Sequence, residues 1–255
     1  MNELGVRTPS EGRGAGVLSH PDEWTVDRET HSRVVGRVSP PVDRGRGEEL
    51  CHAGPMTELL VLPATSAQAV AALADGARVV ARSWGAGLRA GAVDPGTLER
   101  ALRAVADRVS LRELTVADRA AVLALDHDTH RDYPGNVATQ HRPLTPDDAA
   151  PSARRRGFGA FAGDELVAMT FVDVEEADAE TDFTVVAASW RGHGLSTAVK
   201  ALSIRTLVAE GVRTFRTGGS SDNPAIICAN RSLGYVQDEE WLTLARDEGR
   251  PRRHG

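Results

Sequence analysis

"SWRGHGLSTAVK", residues 189–200, sets two glycines one residue apart behind an arginine and then runs into an apolar, helix-compatible segment. Alone, the stretch fits a tight turn that starts a helix as well as it fits an anion cradle. The residues leading into it, "FTVVAAS" (183–189), read as a strand, which makes the stretch a strand-to-helix junction. At such a junction the first helical N–H groups lack intrahelical partners and the helix dipole favours an anion. Glycine lets the backbone approach a phosphate with no Cβ in between. Ser196 adds a hydroxyl and Arg191 a charge-assisted fork.

Other phosphate loops fit less well. No glycine-lysine-serine or glycine-lysine-threonine ending is present, and a dinucleotide fingerprint would want a third glycine where Thr197 stands. An echo at Ser83–Val93, "SWGAGLRAGAV", lacks the arginine, and Asp94-Pro95 stops any helix soon after its glycines. It is read as accidental similarity.

Outward from the junction, the chain from Ser110 reads as one α/β unit. "SLRELTVAD" (110–118) is a short strand, and Asp118 is expected to cap the helix "RAAVLALDHDTH" (119–130). A polar, proline-punctuated loop follows from Asp132 to Pro151, of the kind that faces a substrate. Three strands come next, "GFGAFAG" (157–163), "ELVAMTFVDVEE" (165–176) and "ETDFTVVAAS" (180–189), the first two joined by the hairpin pair Gly163-Asp164. A helix over 195–210 presents Leu195, Ala198, Val199, Leu202 and Leu207 and ends at Gly211. "VRTFRTG" (212–218) is a strand, "NPAIICANRSLGY" a helix from Pro224 that stops at Gly234, and "EEWLTLARD" (239–247) a closing strand. This order favours an α+β fold, a mixed sheet with segregated helices.

Residues 1–55, rich in Gly, Arg, Glu, Pro and Ser, are expected to be a disordered extension, with Met56 as an alternative start. Residues 56–107 read as strand, helix, strand and a further helix begun by Asp94-Pro95, a small segment without assigned role. Residues 247–255 read as a flexible tail. A formal charge of −6 gives no support to nucleic acid as the main partner. Cys51 and Cys228 lie far apart, no leader or membrane-length apolar run is evident, and the expected compartment is the cytoplasm.

"VVAASWRGHGLSTAVKA" followed by "DNPAIICANRSLGY" resembles the GNAT superfamily of acetyl-coenzyme A dependent N-acetyltransferases. The pattern Q/R-x-x-G-x-G/A is matched by Arg191 and Gly194, with a small serine, Ser196, at the last place, and the asparagine-started helix ending in Leu-Gly-Tyr by Asn223 to Tyr235. The resemblance covers residues 108–246. It implies a central mixed, mostly antiparallel, splayed sheet flanked by helices. It further implies that the amides of Gly192, His193, Gly194, Leu195 and Ser196 bind the coenzyme pyrophosphate, with Arg191 in the same turn. By the same resemblance the backbone at Val186 and Ala188 pairs with the pantetheine arm, and Asn223 contacts that arm or positions the next helix.

The family's usual tyrosine acid, seven residues after the asparagine, is here Asn230, which can donate a hydrogen bond but is a poor proton source. Glu180 and Asp182, two apart in a strand and so on one face, are candidates for the general base or for binding the amine, against the alternative of a merely solvated acidic turn. A backbone N–H near Val186 would meet the oxyanion. His127, His130 and Asp126 form a metal-like trio whose spacing suits a solvated helix end better, so no metal is expected. Cys228, Tyr235 and Trp241 read as packing residues. The expected activity is acetyl transfer from acetyl-coenzyme A to a primary amine of a small molecule or peptide, by direct attack in a ternary complex. The alternative is a catalytically weak acyl-coenzyme A sensor or partner module. No nucleic acid or membrane partner is expected, and a homodimer is left open.

Overall fold

The structure, a computed structural model, describes residues 25–27, 32–38, 57–132, 139 and 142–247. The expectations for 1–24 and 248–255, and those for Cys51 and Met56, lie outside the described residues. In chain order the elements begin with β1 (Thr25–Asp27), β2 (Ser32–Val38), β3 (Thr57–Pro63), α1 (Ala67–Ala74), β4 (Arg78–Arg89) and α2 (Pro95–Arg103). They continue with β5 (Ser110–Glu113), α3 (Arg119–Thr129), β6 (Arg155–Ala162), β7 (Glu165–Glu175), β8 (Asp178–Val186) and α4 (Leu195–Ala209). β9 (Thr214–Ser220), α5 (Pro224–Ser232) and β10 (Val236–Asp247) are the last elements of the described residues. From β5 onward this is the order read from the sequence.

The strands form one mixed sheet in the order β1-β2-β3-β10-β4-β9-β8-β7-β6-β5. Every neighbouring pair is antiparallel except β8 and β9. That parallel pair is joined through α4, as a crossover connection requires. Its ladder is short: Asp178, Ala179 and Glu180 face Thr214, Phe215 and Arg216, and pairing stops there. Beyond Glu180 and Arg216 the two strands part, leaving a fork in the middle of the sheet.

β4 lies between β9 and β10. It pairs with β9 from Ser83–Ser220 to Arg89–Thr214 and with β10 from Val236–Gly87 to Ala245–Arg78. Trp84 and Leu88 of β4 and Leu98 and Leu102 of α2 are buried in the core that also holds Ala201, Leu202 and Leu207 of α4. Residues 57–107 thus supply two strands to the same sheet and part of its main core. The echo "SWGAGL" is strand here and not a turn. Its Gly85 and Gly87 leave room for the Glu239 and Arg216 side chains, which a Cβ would meet at 2.6 and 2.9 Å.

α4 is buried almost all round, which is why it lacks the clean two-sided pattern of a surface helix. It ends as read: Gly211 has φ +101° and the Val212 N–H reaches back to the Leu207 carbonyl, a Schellman closure. α3 occupies the opposite face, its Val122 and Leu125 packed with Met169, Phe171, Phe183 and Val185. One capping expectation changes. A short 3-10 turn over Val116–Asp118 precedes α3, and Asp118 reaches back to accept from the Thr115 N–H at 2.7 Å instead of capping forward. Arg112 claims the same carboxylate with two hydrogen bonds of 2.7 and 2.8 Å and holds it well below the usual carboxylate range.

Candidate functional site

The turn after β8 is built by glycine. Gly192 and Gly194 have φ +78° and +80°, a region that L side chains rarely adopt. Gly194 stands at the N-cap of α4 with no side chain capping the helix, so the first-turn amides of a fifteen-residue helix are left for another acceptor. A Cβ on Gly192 would meet open space.

These residues edge a cleft of about 290 Å³ at the mouth of the β8/β9 fork. Of the residues read from the sequence, Val186, Arg191, Gly192, Gly194, Leu195, Ser196 and Asn223 line it together. Thr184, Asp132, Trp190 and Ile226 also take part. Asn223 starts α5, its Oδ1 accepting from the Ile226 N–H at 3.3 Å. Arg191 braces the turn: its Nε donates to the Val186 carbonyl at 3.2 Å and its Nη2 to Asp132 at 2.8 Å. The backbone amides are therefore left as the principal anion donors.

Other candidates stand elsewhere. β8 ends at Val186, and Ala188 begins a 3-10 turn whose carbonyl accepts from the Arg191 N–H. His193 is exposed, its ring edge toward Trp190, and lies outside the cleft lining. Glu180 and Asp182 are exposed on β8 and do not line the cleft. The β7–β8 register shifts at this point, Phe171 facing Phe183 and Val172 facing Thr181, which makes Asp182 the extra residue of a bulge. Its carboxylate accepts from Arg155 at 2.7 Å. Asn230 is buried and its amide donates to the Ile226 carbonyl at 2.9 Å.

Two packing expectations are corrected. Cys228 is exposed, because α5 turns Ala229 and Asn230 inward instead. Trp241 is half-buried and hydrogen-bonds Glu239, along a separate, larger and more open depression of about 630 Å³ that holds no sequence-predicted site residue. Among the described residues no cluster of three or more His, Cys, Asp or Glu could hold a metal, and His127 and His130 only approach each other ring to ring at 6.2 Å.

The sequence reading missed the closed end of the fork. Lys200, on α4, is 2% exposed, and its Nζ donates to the hydroxyls of Thr181 on β8 and Thr217 on β9, both at 3.2 Å. Burial pushes the amine down to about 7. Tyr235 lies against it, ring centroid 5.8 Å from Nζ, its phenol pushed up by burial and in contact with Thr181. The signal was present in the sequence: this is the chain's only lysine, four residues after Ser196 and flanked directly by Val199 and Ala201.

No protein-family model matches the chain, and no curated protein matches it. Solved structures do. A GCN5-related N-acetyltransferase from Sphaerobacter thermophilus matches with a TM-score of 0.54 at 15% identity, over 76% of this chain and 60% of its own. A tandem GNAT protein from the clavulanic acid biosynthesis pathway gives 0.52 at 22% identity, over 76% and 64%. A GCN5-related N-acetyltransferase-like protein from Streptococcus suis gives 0.50 at 16%, over 73% and 71%. The chain thus spans less than two thirds of the length of the first two. At these identities the likeness is one of fold.

Proposed function

We propose that this chain, which has the GNAT fold, is an N-acyltransferase that takes its acyl group from a coenzyme A thioester, acetyl-coenzyme A being the family's usual donor, and delivers it to a primary amine. The observation that carries the reading is the cleft itself. Uncapped first-turn amides of α4, two glycines at positive φ and the parting of β8 from β9 meet at one place.

In this reading the amides of Gly192 to Ser196 hold the pyrophosphate, as an anion suits a helix N-terminus. The unpaired edge of β8 near Val186 offers main-chain groups to the pantetheine arm, in the way a sheet edge accepts an added strand. The amine nitrogen forms a bond to the thioester carbon, the carbon–sulfur bond breaks, and a β8 N–H near Val186 meets the carbonyl oxygen as it gains charge. The amine proton passes through water to the β8 carboxylates Glu180 and Asp182, since neither touches the cleft. Asn230 keeps its hydrogen bond within α5, so the thiolate takes its proton from solvent. The acceptor is a small-molecule or peptide amine.

The test offers a panel of primary amines with acetyl-coenzyme A and follows free thiol. Amine-dependent thiol release supports the enzyme. Saturable coenzyme binding without release on any amine would favour the sensor.

A further inference from the structure

The fork has a polar end that acetyl transfer does not use. Lys200 follows Ser196 by four residues on α4, so the two share a helix face, and Lys200 stands about 6 Å deeper. Ser196 lines the cleft; Lys200 is buried beneath it. Its partners Thr181 and Thr217 are the first residues beyond the last β8–β9 rung at Glu180–Arg216, so the amine closes the apex of the fork. Three positions along β8 from Thr181, Thr184 lines the cleft and shares a hydrogen bond with the buried Thr170 hydroxyl at 2.8 Å. Hydroxyls thus lie at both levels, Thr184 beside the cleft and Thr181 and Thr217 beside the amine.

In its protonated form the amine has three donors, and two are used here. Among the described residues none takes the third, and Lys200 forms no ion pair with a carboxylate. Glu180 and Arg216, on the neighbouring rung, are otherwise placed: Glu180 is exposed and Arg216 is engaged by Asp238 and Glu239. Tyr235, neutral at ordinary pH, gives no counter-charge. A buried amine without a counterion is costly unless something supplies one. An apolar side chain would fill the same space at lower cost.

We propose that the closed end of the fork is a carboxylate site, and that the acyl group this chain delivers ends in a second carboxyl group, as in a short dicarboxylic thioester of coenzyme A. The inference rests on the coenzyme reading of the cleft. With the thioester at the level of Thr184 to Val186, an acyl chain directed inward reaches Lys200 one helical turn deeper. Its carboxylate meets the free N–H of Lys200 and the hydroxyls of Thr181 and Thr217. That carboxylate is a spectator: the bond that breaks is still carbon–sulfur and the bond that forms is still carbon–nitrogen.

Calorimetric titration of the full chain with succinyl-coenzyme A and with butyryl-coenzyme A tests this, because the two acyl groups have equal carbon counts and differ in the carboxylate. The expected result is about tenfold or more tighter binding of the succinyl thioester, the worth of a hydrogen-bonded charge pair. In Lys200→Met that preference disappears; Thr217→Val, which should reduce it, serves if the first variant fails to fold. Equal binding of the two thioesters by the wild type, or a preference that survives Lys200→Met, overturns the inference while leaving coenzyme binding intact. Binding of neither thioester nor of free coenzyme A overturns the coenzyme reading, and this inference with it.

Discussion

Replacing Lys200 by methionine should make the ligand-free protein more stable at neutral pH, an unusual outcome for a change in the middle of a core. The amine sits at about 7 in the fold against 10.5 when exposed, and the cause is burial. Below pH 7 it is charged in both states, and the folded state bears the whole cost of enclosing the charge. Between pH 7 and 10.5 the unfolded chain still holds a proton that the folded chain has released, so stability rises with pH; above 10.5 the cost is gone. The difference amounts to about 5 kcal/mol as an upper limit. Methionine keeps most of the buried stem and removes the charge. Against this, the Thr217 hydroxyl loses its partner, at about 1–3 kcal/mol, while Thr181, which loses the same donor, keeps its hydrogen bond with Tyr235. The net expectation is a variant about 2–4 kcal/mol more stable at pH 6, an advantage that shrinks through pH 8 and 9 and vanishes or reverses near pH 10. Tyr235 is neutral throughout most of this range, and Arg216 and Glu180 are unchanged between the two proteins. Urea unfolding of both proteins at each pH measures the gap. Because Lys200 is the only lysine, lysine-selective isotope labelling also gives a single side-chain signal whose titration can be followed directly. Parallel pH profiles, or a lysine that titrates near 10.5, would refute the reasoning.

Two further changes probe the frame around the fork. Gly218→Ala places a Cβ 2.8 Å from the Trp84 carbonyl, a backbone atom with no freedom to swing aside, next to the Trp84 indole hydrogen bond to Ser220 at 3.2 Å. It should cost about 1–3 kcal/mol in chemical unfolding; no loss would mean that β4 and β9 pack less closely than described. Arg112→Met keeps contact with the Phe161 ring, which the guanidinium covers at 3.9 Å, but releases Asp118. Asp118's carboxyl is held low chiefly by Arg112, so the pair contributes above the ordinary carboxylate range and is lost as pH falls through the depressed value. With Arg112 nearly half exposed the difference should be about 1 kcal/mol at pH 7 and should narrow progressively toward pH 2, which acid titration of unfolding midpoints would show.

The parts of the fold legible in the sequence are those set by local chemistry. Gly192 and Gly194 at positive φ, Pro224 behind Asn223, Gly211 and Gly163 are positions where backbone geometry selects the residue, and there the reading and the structure agree. The cleft residues followed because turn, strand and helix are contiguous in sequence. The position of β4 was not legible: "RVVARSWGAGLR" carries no local mark that it pairs with strands more than a hundred residues downstream. Strict alternation puts Glu180 and Asp182 on one face, but the bulge at Asp182 interrupts it, and alternation cannot foresee an extra residue. Residue type alone suggests a packed Cys228, yet the inward face of α5 is set by Ala229 and Asn230. Lys200 stands out as the only lysine, yet nothing in its own helix tells that two threonines from separate strands converge on it.

The account stands most directly on coenzyme binding at the glycine turn. Thermal unfolding of the wild type and of Gly194→Asp, titrated with free coenzyme A, isolates that claim, since coenzyme A carries the pyrophosphate and the pantetheine arm with no acyl group. The account predicts a midpoint for the wild type that climbs with the logarithm of ligand concentration. In the variant a carboxylate faces the pyrophosphate at a position with φ +80°, and the response should be lost or displaced to about tenfold higher concentration. A folded wild-type protein whose midpoint does not move at any concentration, or a Gly194→Asp variant that responds equally, would contradict it.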